Sequence, residues 1–273
     1  MRVQLWCDME GVAGITKWEQ VNGGAPQYEE GRRLYMGETN AVIRACKRAG
    51  AEEIVAIDGH GAGKCWTFNS WIHQEMEDGA EYITGYPWGC YVEGFKKGTV
   101  DAVLLPGAHA RAGTPSSVLC HTISSTNWVN AYINGKPVGE SGLVAAIAGS
   151  FGVPCIFVSG DHAACEEAKD FISPNIVTAS VKQSLGRYSA RSLSHGDACR
   201  LIEQKVEEAL ADRSKWPAPL EYKDPELRIE LHTPEQVPVY TRCPGVEVIG
   251  DRTLVYKAKD FWTLWDNFWP WRD

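Results

Sequence analysis

The chain has 273 residues, is 44% hydrophobic and carries a formal charge of −8 with a pI near 5.4. That length and apolar content allow one large domain or two unequal ones with a sizeable core, and the acidic balance argues against nucleic acid or an anionic membrane as the main partner. No apolar stretch approaches the roughly 18–20 residues of a membrane span, the opening MRVQLWCDME lacks the apolar core of a signal peptide, and nine cysteines without a C-x-x-C pair fit a reducing cytoplasm better than a disulfide framework.

In chain order, Val3, Leu5 and Cys7 share one side of a first strand over 2–7. Leu34, Val42, Ala45, Cys46 and Ala49 fall at helical spacing within 27–49, and Gly50 suits the position just past a helix end. Residues 51–58 predict a second strand, and a third follows at VDAVLLPGAH, 100–109. WVNAYINGKPVG, 128–139, predicts a hairpin, because Asn134-Gly135 supplies the positive φ angles of a tight turn. A helix over 141–150, a strand over 153–159 and a helix over 161–171 come next, the last N-capped by Asp161. An amphipathic helix follows over 196–211. RSKWPAPLEYKDPE contains three prolines and reads as a boundary, which divides the chain into a main portion, 1–212, and a smaller strand and helix portion, 213–273. Beyond it, a Gly250-Asp251 turn separates VEVI from TLVYKA, and the aromatic helix FWTLWDNFW closes the chain. Alternation of strand and helix predicts a three-layer α/β fold, a largely parallel sheet flanked by helices, with a smaller C-terminal α+β portion.

Open α/β sheets bind ligands outside the carboxyl ends of their strands. The first predicted strand ends in Asp8, with Glu10 two residues on; the second ends in Asp58 and His60; the third ends in His109; Glu140 opens the helix after the hairpin. Imidazole nitrogen and carboxylate oxygen are donors for a hydrolytic zinc site, and the set Asp8, Glu10, His60, His109 and Glu140 suits a pair of metals. His121, spare once two histidines are assigned, is the candidate for moving protons. A single strand-end residue of this kind often does no more than cap a helix; the weight lies in several strand ends agreeing.

Other motifs do not carry through. Gly63-Lys64 completes a P-loop only with glycine where Asp58 stands, and GESG at 139–142 lacks the second glycine of a serine elbow because Leu143 occupies its place. Among the cysteines, Cys120 alone is retained as a candidate, beside His121. His73, His162, His195 and His232 are read as surface or satisfied histidines. Lys182 and Arg187 are read as a solvated face, with substrate contact as the alternative. Phe261, Trp262, Leu264, Trp265, Phe268 and Trp269 are read as core or subunit packing.

CDMEGVAGI at 7–15, DGHG at 58–61, GAHARAGTP at 107–115, INGKPVGESGL at 133–143 and VKQSLGR at 181–187 occur in an order that resembles the zinc-dependent D-aminopeptidases of the DppA type. The resemblance covers roughly residues 1–190. It implies a two-domain α/β subunit, two zinc ions per subunit, short peptide substrates with an N-terminal D-residue such as D-alanine, and a self-compartmentalising decamer of two stacked pentameric rings. Carried over by position, it implies that Asp8 bridges the metals, that Glu10 and His60 complete one site and His109 and Glu140 the other, and that His121 acts in catalysis. Two rival readings remain: another metal-dependent amidase or hydrolase on the same metal pair, and a non-catalytic homologue that binds peptide or metal.

Overall fold

The computed structural model describes residues 1–85, 94–95 and 98–268. The elements are β1 (Arg2–Cys7), α1 (Tyr28–Arg48), β2 (Glu53–Asp58), β3 (Glu81–Ile83), β4 (Ala102–Ala108), β5 (Trp128–Ile133), β6 (Lys136–Pro137), α2 (Glu140–Gly149), β7 (Cys155–Asp161), α3 (His162–Phe171), β8 (Val177–Gly186), β9 (Ser189–Ser192), α4 (His195–Leu210), β10 (Glu226–Leu231), α5 (Val237–Tyr240), β11 (Glu247–Ile249), β12 (Thr253–Lys257) and α6 (Phe261–Phe268).

Seven strands form one sheet in the order β3-β2-β1-β4-β7-β8-β9, parallel except for the β8–β9 pair. Both faces are covered, as the three-layer expectation requires. Val3, Leu5 and Cys7 of β1 enter a core shared with Val42 of α1 and Ile202 and Val206 of α4, whereas Trp6 enters a second core with Leu143 and Ile147 of α2 and Ala168 of α3. Strands buried on both faces read as nearly continuous apolar runs, and β4 and β7 are buried along their whole lengths. The chain builds outward from β1 to β2 and β3, then restarts on the other side of β1 with β4. Such a switch point leaves a crevice at the strand ends, and ligands of open α/β sheets lie there.

A second, antiparallel sheet has the order β11-β12-β10-β5-β6. Residues 213–273 do not build it alone, because the hairpin inside 1–212 supplies β5 and β6, with Arg228 of β10 opposite Tyr132 of β5. Asn134 and Gly135 take φ of 49° and 79°, the tight turn that their pairing predicts. The tail helix packs within its own chain: Phe261, Leu264, Trp265 and Phe268 are buried, and Phe268 meets Trp128, Tyr240 and Tyr256. Trp262 is half-buried against the same core; Trp269 lies outside the described residues.

The boundaries shift by a residue or two from those expected. The strand expected over 153–159 runs from Cys155 to Asp161. Asp161 then caps α3, its carboxylate accepting from the Ala163 amide, and Ser194 caps α4 in the same way.

Candidate metal centre

Asp8 follows β1 directly, and Glu10 lies in the loop beyond it. His60 stands two residues past β2, His109 follows β4, Glu140 is the first residue of α2, and His121 lies between β4 and β5. The fold brings all six together. His60 Nδ1 is 3.2 Å from Asp8 Oδ1 and 3.1 Å from Glu10 Oε2. His109 Nε2 is 3.3 Å from the other Asp8 oxygen and 3.2 Å from Glu140 Oε1. His121 Nε2 is 3.6 Å from that same Glu140 oxygen, and its ring stacks on His109 with centroids 4.0 Å apart. Two donor sets each fall within 4.8 Å: Asp8, Glu10 and His109, and His109, His121 and Glu140.

The second ring nitrogen of each histidine meets a backbone carbonyl. His60 Nε2 reaches Val21 O at 2.8 Å, His109 Nδ1 reaches Ala110 O at 2.9 Å, and His121 Nδ1 reaches Leu119 O at 2.8 Å. A carbonyl only accepts, so each of these nitrogens carries the proton. In the neutral ring, the nitrogen facing the carboxylates then holds the lone pair, which is the tautomer a metal ligand requires. Glu10 Oε2 and His109 Nε2 are buried without a hydrogen-bond partner; their neighbours are close but out of hydrogen-bond alignment. Buried polar atoms are normally paired. Nitrogen and carboxylate lone pairs converging on one point fit a divalent cation, and zinc accepts this donor set.

The electrostatics agree. Burial and then the Glu10 carboxylate push Asp8 up to about 7. Burial acts to raise Glu10 as well, but His60 overrides it and holds Glu10 well below the usual range. His60 and His109 resist the downward effect of burial and are raised well above the usual value, by Glu10 and Asp8 for the first and chiefly by Glu140 for the second. Three crowded carboxylates therefore demand positive charge, from protons or from cations. His121 behaves differently: burial and the His109 charge lower it.

A cavity of about 510 Å³ opens onto this cluster, with Asp8, Glu10, His60, His121 and Glu140 along one end. The D-aminopeptidase family model matches residues 1–269. The chain belongs to the D-aminopeptidase family. A curated D-aminopeptidase from Bacillus subtilis (strain 168) is 34% identical over 264 residues, 95% of this chain and 92% of the relative. A solved structure described as a Zn-dependent D-aminopeptidase DppA from Bacillus subtilis, a self-compartmentalizing protease, superimposes with a TM-score of 0.89 at 32% identity, covering 98% of this chain and 95% of the other.

Several residues support the centre of this D-aminopeptidase family member in roles that the sequence does not assign them. Asp58 is fully buried and accepts from the Tyr35 hydroxyl, the Ser70 amide and the His60 amide, which orders the turn carrying His60. Lys182 does not lie on a solvated face, contrary to expectation. It is 2% exposed, and its ammonium donates to the carbonyls of Glu10, Val12 and Ile15 at 2.5, 3.0 and 2.7 Å. Strand pairing slips between Gly160 and Asp161, opposite Lys182, and a bulge of this kind re-aims a side chain. Arg187 is exposed overall but donates to the Cys120 carbonyl at 3.0 Å, while its own carbonyl accepts from the Leu119 amide. It thus ties down the loop that carries His121. Cys120, Lys182 and Arg187 are absent from the cavity lining, as are His73, His162, His195 and His232. Trp18, unremarked in the sequence, meets the His121 ring edge-on at 5.6 Å.

Proposed function

We propose that this protein is a zinc-dependent aminopeptidase that hydrolyses short peptides with an N-terminal D-residue, D-alanine in the simplest case. The carrying observation is the placement of Asp8, one carboxylate oxygen toward His60 and the other toward His109. In this reading Asp8, Glu10, His60, His109 and Glu140 would together hold two zinc ions. The name of the curated relative supports the D-aminopeptidase class, and the description of the solved structure supports that class and zinc.

Ions held there supply polarisation of the scissile carbonyl and acidification of water. The chain's own residues do the rest. Burial and then the His109 charge lower His121 and so favour its neutral form, in which Nε2 is the nitrogen without a proton. It takes a proton from the attacking water and returns it to the leaving amine. Glu140 accepts from the Ile123 amide at 2.7 Å and so fixes the spacing between the centre and the His121 loop.

Cytoplasmic residence and assembly belong to the same reading. Cys7, Cys46, Cys65, Cys120, Cys155, Cys165 and Cys199 form no disulfide, which suits a reducing compartment, and no described helix is long and apolar enough to cross a membrane. The self-compartmentalizing description of the solved relative supports an oligomeric assembly, which this reading takes to be a decamer of two pentameric rings. Leu185 and Tyr188, 66% and 58% exposed at the β8–β9 hairpin, are candidate contacts in it.

The test is a panel of the zinc-loaded protein against D-alanyl-D-alanine, L-alanyl-L-alanine and N-acetyl-D-alanyl-D-alanine. The expected result is cleavage of the first and resistance of the acetylated peptide. Equal cleavage of the acetylated peptide would point instead to a metal-dependent amidase, and no turnover of any member to a binding homologue.

A further inference from the structure

We infer that the cavity contains an apolar subsite which selects a large apolar side chain on one of the two residues flanking the scissile bond. The inference rests on the peptidase reading above and narrows its substrate class. It starts from α2. Glu140 is the first residue of that helix, and Leu143, Val144 and Ile147 line the same cavity. These are positions i, i+3, i+4 and i+7, one face of a helix. At 1.5 Å per residue the face runs for roughly 10 Å beyond the proposed metal ligand.

Trp6 of β1, Tyr240 of α5 and Trp265 of α6 line the cavity with it. The cavity therefore lies between the large sheet and the layer built on the small one. Two polar atoms at this end are engaged elsewhere: the Tyr240 hydroxyl accepts from Trp128 Nε1 at 2.8 Å, and Asn127 Oδ1 accepts from Gln236 Nε2 at 2.9 Å. Among the described residues, Leu143, Val144 and Ile147 give this wall a hydrocarbon surface.

An alanyl methyl reaches one bond from its Cα and leaves that wall untouched. A leucyl or phenylalanyl side chain extends along it. A single methylene in an apolar pocket is worth about ten-fold or more in kcat/KM. The structure thus assigns selectivity for bulk to Leu143, Val144 and Ile147, separately from the residues that meet the metals.

The experiment measures kcat/KM of the zinc-loaded protein for D-alanyl-D-alanine, D-leucyl-D-alanine and D-alanyl-D-leucine, for the parent and for Val144→Phe, which fills the subsite. Calorimetric titration of D-leucine against D-alanine gives a readout that needs no turnover, and circular dichroism confirms that the variant is folded. We expect one leucyl peptide to exceed D-alanyl-D-alanine by at least about ten-fold in the parent, D-leucine to bind more tightly than D-alanine, and Val144→Phe to collapse both ratios; Val144→Ala, which enlarges the subsite, keeps the leucyl preference. A parent that cleaves D-alanyl-D-alanine as well as either leucyl peptide overturns the inference and leaves the peptidase reading standing. A parent that cleaves none of them but still prefers D-leucine in binding overturns the peptidase reading and supports the apolar subsite.

Discussion

His121 faces Glu140 through Nε2 because its Nδ1–H is committed to the Leu119 carbonyl. Its position beside both His109 and Glu140 makes replacement decisive. We expect His121→Ala to lower kcat by about 10²- to 10⁴-fold with zinc content unchanged; loss of zinc in that variant would make His121 a ligand. Lys182 acts at the other side of the centre. Lys182→Met withdraws the ammonium from three carbonyls of the 10–15 loop; Val12 O keeps the Ile15 amide, and the other two lose this donor at about 1–3 kcal/mol for each unsatisfied group. Denaturant unfolding should show a loss of at least about 2 kcal/mol, and zinc should bind more weakly. Glu38 gives a pH signature. Burial pushes its carboxyl up to about 7, against the pull of the Ala13 amide and Lys182. The unfolded chain releases that proton near the ordinary value of 4.5. The group therefore contributes stability that is full below pH 4.5 and is lost as pH rises through about 7. Glu38→Gln keeps the acceptor for Ala13 and removes the titration. Relative to the parent it should gain up to about 3 kcal/mol between pH 5 and pH 8, read by urea unfolding at both values; a flat difference would contradict a buried, raised Glu38.

At the scale of elements, the centre depends on how closely β1 and β4 approach at their carboxyl ends. Gly107 has φ of 78°, and a Cβ there would lie 1.8 Å from the Asp8 carbonyl oxygen. Gly107→Ala should displace Asp8, lower zinc content and lower Tm together; a variant with full zinc would show that the strand ends tolerate separation. The loop behind His121 is held in unusual conformations, with positive φ at Ser116, Leu119 and Ile123. Positive φ is uncommon outside glycine, and at a β-branched residue it is an outlier. Arg187, Glu140 and Asp161 brace this loop through backbone and hydroxyl contacts. Helical spacing made α1, α3 and α4 legible, apolar alternation or continuous apolar runs made β1, β2, β4, β7 and α2 legible, and the Asn134-Gly135 turn marked the hairpin. Periodicity did not reach β8. A period of two sets Lys182 opposite Val181, on the outer face, yet both are buried because the pairing slips at that point. The carbonyls that hold Lys182 lie about 170 residues away in sequence, where no local pattern connects them.

At the scale of the molecule, strand ends that are distant in sequence converge at the switch point between β1 and β4. That convergence is what made Asp8, Glu10, His60, His109 and Glu140 legible as one set, since apolar runs ending in carboxylate or imidazole are visible residue by residue. The union of the 128–137 hairpin with β10, and with it the apolar end of the cavity, was not visible. Antiparallel pairing across such a separation depends on register, and register is fixed by the packed fold. Three carboxylates in one crowded cluster also tie stability to bound cation. A chelator should lower Tm by several degrees, because ligand binding free energy is then withdrawn from the folded state. The most direct measurement is zinc per chain, by elemental analysis of protein purified without chelator, beside Asp8→Asn. The two-metal account predicts about two ions in the parent and a marked loss in the variant, whose single substitution reaches both sites. One ion or none in the parent after zinc is supplied, or an undiminished content in Asp8→Asn, would contradict it.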